Sequence, residues 1–245
     1  MKIRRHYFLL VLLAFCVCAI PFRMKIVHAA VAATKVAKAK KTVAERVAEF
    51  GGVVHARMAP VFTQVGVPYP PRHVTLIGLK AERIMEVWVA GASNEWKHLK
   101  DYPILALSGQ LGPKLEEGDG QVPEGLYRVE SLNPNSLYHL ALRVNYPNDD
   151  DRQRGKLDGR KNLGSDIMIH GSACSIGCLA MGDEAAEDLF VLAAETGIEN
   201  ISIILSPVDF RKRGLPPQMP DHPAWTGERY EAIKKELGKF KIGKP

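Results

Sequence analysis

The sequence predicts an α+β fold that is predominantly β. Several short apolar, β-branched runs are separated by polar or Gly/Pro-rich turns, the pattern of strands. Helical periodicity is confined to two stretches late in the chain, one near residue 183 and one near the C-terminus. Hydrophobic residues make up 46% of the 245, enough to fill a globular core.

Residues 1–29 read as an export signal. MKIRRH supplies positive charge, and Tyr7 to Phe22 form an apolar stretch shorter than the roughly 20 residues of a membrane span. Val27-His28-Ala29 offers a small-residue cleavage pattern, with Val17-Cys18-Ala19 as a second. Arg23 and Lys25 keep an uncleaved membrane anchor open. Residues 30–71 read as a linker and lead-in: an Ala/Lys-rich run over 31–48, a solvated linker or loose helix and not a lipid-binding one, then a stretch over 57–73 with four prolines and no clear period.

A folded domain is expected over 72–208. Val74–Leu79 and Ile84–Val89 read as a hairpin around the polar turn Lys80-Ala81-Glu82-Arg83, and Trp96–Leu99 and Tyr102–Leu107 continue the β pattern. Residues 109–125, GQLGPKLEEGDGQVPEG, form a Gly/Pro-rich loop able to turn sharply and hold one shape. Leu137–Val144 alternates as a strand. Asp149-Asp150-Asp151 reads as a solvated turn, because calcium loops need spaced oxygens and a distal Glu. Asp183 is expected to N-cap a helix that ends at Gly197, and Ile201–Leu205 is a strand stopped by Pro207. Residues 209–245 are a Pro-rich extension with a last helix whose stripe is Tyr230, Ile233, Leu237 and Phe240.

The formal charge of +6 is a property of the N-terminus. Nine of the 33 Lys and Arg residues lie in residues 1–44, which hold no acid. That leaves 24 against 27 acidic residues in 45–245, about −3. A nucleic-acid partner would need a basic face on the folded body, so none is expected.

The stretch that carries chemistry is 167–183, IMIHGSACSIGCLAMGD. A short buried strand breaks into a loop that holds His170 and Cys178, with Gly171 and Gly177 ruling out a regular helix between them. A thiol beside an imidazole at the end of a strand points to nucleophilic catalysis, with Cys178 as nucleophile and His170 as base and later acid. An imidazolium next to the sulfur would pull its pKa below the usual ~8.5 and favour the thiolate. Ser175 is expected to shape the loop. Gly177 is expected to let backbone N–H groups approach the scissile carbonyl, forming an oxyanion hole with the N–H of Cys178. No cofactor is required by this chemistry. Zinc on His170, Cys174 and Cys178 lacks a fourth ligand. A Cys174–Cys178 disulfide, which would block the nucleophile, stays open.

His170-Gly171 followed by Ser175-Ile176-Gly177-Cys178 resembles the signature of the L,D-transpeptidase (YkuD-type) catalytic domain, and is most similar to its DpaA-like (YafK-like) subfamily. Gly120, Pro123, Gly125 and Tyr127 match the family's G-x-x-x-x-P-x-G-x-Y element, and Leu111-Gly112-Pro113-Lys114 resembles the subfamily's version upstream. The resemblance implies that the backbone carbonyl of Gly171 orients His170, and that Asn145, Tyr146 and Tyr127 line the substrate groove. Ile176 stands where many members have a second histidine, and Ala180 where they have an arginine; the DpaA-like subfamily shares both departures. The same resemblance implies a periplasmic or cell-envelope enzyme acting on peptidoglycan stem peptides through a thioester. Resolution by an amine would make it a transpeptidase, and by water an amidase or carboxypeptidase, with a wall-linked lipoprotein as a further partner. A non-catalytic wall-binding scaffold is the rival reading.

Overall fold

A computed structural model describes residues 40–214 and 222–241. The export signal, most of the Ala/Lys-rich run and part of the Pro-rich extension lie outside the described residues. Among the described residues, no helix is long and apolar enough to cross a membrane.

The frame is one nine-stranded mixed sheet. In chain order its strands are β1 (His73–Leu79), β2 (Ile84–Ala90), β3 (Trp96–Pro103), β4 (Ala106–Leu107), β5 (Gly125–Ser136), β6 (His139–Val144), β7 (Met168–His170), β8 (Leu179–Ala180) and β9 (Ile201–Ser206). Their spatial order is β3-β2-β1-β9-β5-β6-β7-β8-β4. The β1–β9 and β7–β8 pairs are parallel, and the other pairs are antiparallel. Strand β9 therefore sits between the first hairpin and the half of the sheet that carries the cysteine.

Side chains alternate across this sheet because successive residues of a strand point to opposite faces. On β1, Val74 and Leu76 join one core, while Ile77 and Leu79 join a second core on the other face. The first core is covered by helices α1 (Val43–Val65) and α3 (Asp183–Thr196), and the second by α4 (Thr226–Leu237). In α4, Tyr230, Ile233 and Leu237 are buried, as is Phe240 just beyond it; these pack against Ile77, Trp88 and Ile204.

Helix α1 corrects the reading of residues 43–65 as linker and irregular lead-in. Val54, Met58 and Phe62 recur at i, i+4 and i+8 and are all buried. Thr42 and Glu45 make a reciprocal capping box, and Gly66 ends the helix at φ 68°. Pro60 lies inside it. The helix docks on α3 through Arg57, whose Nε donates to Asp188 (2.8 Å); the Tyr102 hydroxyl donates to the other Asp188 oxygen (2.7 Å). The acidic run is corrected too. Asp149–Leu157 is helix α2, with Asn148 as N-cap and Asp151 closing its capping box. Acids in a first turn are favoured there by the helix dipole. The twelve-residue strand β5 has no counterpart among the strands expected from the sequence. Val129 and Ser131 flank an irregularity in its pairing with β6, a bulge that sets Glu130 out of register.

Candidate active site

The site is built on β7 and β8. Ile169 and Leu179 are register partners, and both are fully buried in the core. Met168, His170 and Ala180 therefore face the other side of the sheet. One step back along the register, Cys178 falls opposite Met168, whose backbone N–H donates to the sulfur (3.4 Å). His170 and Cys178 are thus diagonal neighbours on one face of adjacent strands. Such neighbours have Cα atoms roughly 7–8 Å apart, within reach of an imidazole.

His170 is buried and its Nδ1 lies 2.6 Å from the carbonyl oxygen of Gly171. A carbonyl only accepts, so Nδ1 carries the proton and Nε2 keeps a lone pair, the arrangement a general base needs. Tyr138, at the tip of the β5–β6 hairpin, stacks on the imidazole with centroids 4.7 Å apart and planes at 28°. Gly171 has no room for a side chain: a Cβ would meet the Asp183 carboxylate at 2.6 Å and the Tyr138 carbonyl at 2.8 Å.

The charge states differ from the sequence expectation. Burial pushes the Cys178 thiol above its ordinary pKa, and the carboxylate of Asp166 adds to that against the Met168 N–H and the Lys114 ammonium. Burial also pushes His170 down, against its bond to Gly171. Both shifts favour the uncharged thiol and imidazole over an ion pair. The thiol also donates to the backbone oxygen of Asp166 (3.6 Å).

The loop between the two residues is held by hydroxyls. Ser175 Oγ accepts from the Cys178 N–H (3.1 Å) and donates to the Cys178 carbonyl (2.6 Å). Ser108, at the end of β4, accepts from the Gly177 N–H (2.5 Å) and donates to Gly120 (2.8 Å). Gly177 adopts φ 94°, a region suited to glycine. The N–H groups of Gly177 and Cys178, the latter expected in an oxyanion hole, are both held by serine oxygens in this structure. Cys174 is exposed, and it and Cys178 are both free thiols.

Asp183 is the first residue of α3 and not its cap; Gly182 takes the cap position at φ 79°. The Asp183 carboxylate instead accepts from the Ser172 N–H (2.7 Å), tying the loop to the helix. The supposed groove tyrosines are also corrected. Tyr127 and Tyr146 are buried, with hydroxyls directed inward, to Glu124 and Asp151 and to the Leu163 carbonyl. The Asn145 side chain accepts from the Arg128 N–H (2.8 Å). These residues brace β5 against β6 and α2.

Residues 73–203 match the family model of the L,D-transpeptidase catalytic domain (YkuD). The chain belongs to that family. The Escherichia coli K12 protein YafK, which its name places among the L,D-transpeptidases, is 37% identical over 113 residues. That match covers 45% of this chain and 43% of YafK, so the chain spans less than half of that relative. Among solved structures, the helical cell shape determining protein Pgp2 of Campylobacter jejuni is similar over 63% of this chain and 56% of its own, at 20% identity and a TM-score of 0.45. Mycobacterium tuberculosis L,D-transpeptidase 1 is similar over 55% and 62%, at 15% identity and a TM-score of 0.31.

Within this L,D-transpeptidase domain, four residues around the His170–Cys178 segment escaped the sequence reading: Ser108, Tyr138, Arg143 and Asp166. None lies inside the 167–183 stretch. Only the opening of the Gly/Pro-rich loop just after Ser108 signalled that a second segment would reach the site.

Proposed function

We propose that this protein is a peptidoglycan-modifying cysteine acyltransferase of the L,D-transpeptidase type. The observation that carries the reading is the pair on one sheet face: Cys178 beside a His170 whose free Nε2 is fixed by the Gly171 carbonyl. In the proposed reaction Nε2 takes the thiol proton as the sulfur attacks an amide carbonyl of a stem peptide. The imidazolium then gives that proton to the leaving amine, leaving a thioester on Cys178. An incoming amine resolves the thioester by transpeptidation, and water resolves it by hydrolysis. The hydrolytic form would be an amidase or carboxypeptidase, with a wall-linked lipoprotein as one substrate. The export signal read in residues 1–29 supports action in the periplasm or cell envelope, either free or anchored.

Incubation with purified muropeptides, followed by mass spectrometry of products and of intact protein, tests this. The expected result is an acyl adduct on Cys178 that is absent in Cys178→Ala and strongly reduced in His170→Ala. New cross-links identify a transpeptidase, and only shortened or released peptides identify a hydrolase. No adduct and no product from the wild-type chain would leave the non-catalytic wall-binding reading.

A further inference from the structure

Strand register sets Arg143 in the same row as the catalytic sulfur. Arg143 on β6 is the register partner of Met168 on β7, and Met168 lies opposite Cys178. All three side chains face the same side of the sheet, because Leu142, Ile169 and Leu179 fill the core side. Two strand spacings separate Arg143 from Cys178, about 10 Å between backbones. Asp166 joins them directly: its carbonyl oxygen accepts from the thiol, and its carboxylate pairs with Arg143.

The guanidinium is held between two acids on the surface. Its Nε lies 2.6 Å from Glu130, the residue set out by the bulge in β5, and its other arm meets Asp166. Asp166 takes a left-handed backbone at φ 59°. The side chains of Arg143, Glu130 and Asp166 are 34%, 51% and 65% exposed. Exposed pairs of this kind contribute little to stability, because water and salt screen them. Folding energy is therefore a poor account of a bulge and a strained backbone that hold one guanidinium in the row of the thiol. Lys114, the cation whose charge reaches the sulfur, is buried and committed to Asp119 and the Glu116 carbonyl. Arg143 is the accessible one.

We propose that Arg143 is a specificity residue that binds a free carboxylate of the acyl donor, one to two residues from the attacked amide. At about 3.3–3.6 Å per extended residue, two residues span about 7 Å of that row, and the long arginine side chain covers the rest. The planar fork of arginine suits a carboxylate, which takes the place of the Asp166 side chain on the guanidinium. Asp166 and Glu130 hold the fork in place until substrate arrives. This inference rests on the acyl-transfer reading above.

The test compares two synthetic stem peptides, identical apart from a free or an amidated terminal carboxylate, by the rate of acyl-enzyme formation on Cys178. A lost charge-assisted hydrogen bond corresponds to roughly a 10–100-fold effect. The wild type is expected to favour the free carboxylate by that factor, mainly through KM. Arg143→Gln removes the preference by weakening only the carboxylate donor, and Arg143→Lys restores part of it. Asp166→Asn, which frees the guanidinium, lowers KM for the carboxylate donor, an effect that a merely structural clamp would not produce. A preference that survives in Arg143→Gln, equal losses with both peptides, or a wild type that acylates both equally overturns the assignment while leaving the acyltransferase standing. Absence of an acyl-enzyme with either peptide overturns both.

Discussion

At the scale of single residues, the unexpected feature is the protonation of the reacting pair. The motif around Cys178 and His170 is contiguous, so the residues and their neighbours Gly171, Ser175 and Gly177 could be picked out from sequence. Their charge could not, because it is set by how deeply the fold buries them. A thiol pushed up and an imidazole pushed down share a wide window in which both are neutral. The form competent for general-base attack is lost only below the lowered pKa of His170 or above the raised pKa of Cys178. We expect kcat/KM to hold level from below pH ~6.5 to above ~8.5, the ordinary values of the two groups. We also expect iodoacetamide to alkylate exposed Cys174 faster than Cys178 at neutral pH, since the thiolate is the reacting species. A narrow bell, or faster labelling of Cys178, would show a preformed ion pair instead.

At the scale of elements, the Gly/Pro-rich loop owes its shape to a buried charge pair. Lys80, in the β1–β2 turn, donates to Glu124 (2.8 Å) and to the carbonyls of Val122 (2.9 Å) and Gly112 (3.2 Å). Glu124 also accepts from the Gly112 N–H (2.7 Å) and from the Tyr230 hydroxyl of α4 (2.7 Å). Both members are inaccessible to solvent. Removing one leaves the other buried and uncompensated, which costs about 3–5 kcal/mol. Lys80→Met is therefore expected to lower stability by that amount in chemical denaturation, and Tyr230→Phe by about 1.5–3 kcal/mol. A loss under ~1 kcal/mol for Lys80→Met would mean that the loop stands without the pair. From sequence, Lys80 read as part of a polar turn, and Glu124 as one residue of a Gly/Pro-rich loop. Local pattern placed the strands of the first hairpin and helix α3 well, because their burial follows their own periodicity. It failed for α1, where Gly51-Gly52 and Pro60 masked a stripe of only three buried apolar side chains, Val54, Met58 and Phe62.

At the scale of the whole molecule, the parts outside the family-matched region are structural. Helix α1 closes one core and the C-terminal helix the other. Tyr230, Ile233, Leu237 and Phe240 bury four large side chains, at about 1.5–3 kcal/mol each. Their sum is comparable to the roughly 5–15 kcal/mol by which a typical domain is stable. Deleting residues 222–245 should therefore yield insoluble chain, or soluble chain without a cooperative thermal transition in circular dichroism. A truncated form that melts like the full chain would show that the tail only decorates the surface. The position of β9 has a bearing on how such a chain is made. It is the ninth strand to leave the ribosome, yet it fills the slot between the first strand and the fifth. Until residue 201 has been synthesised, the two halves of the sheet have no seam, and β1 waits with an unpaired apolar border, the kind of edge that recruits stray strands. The joining of the two halves of this sheet thus waits for β9, while the first hairpin can form before it.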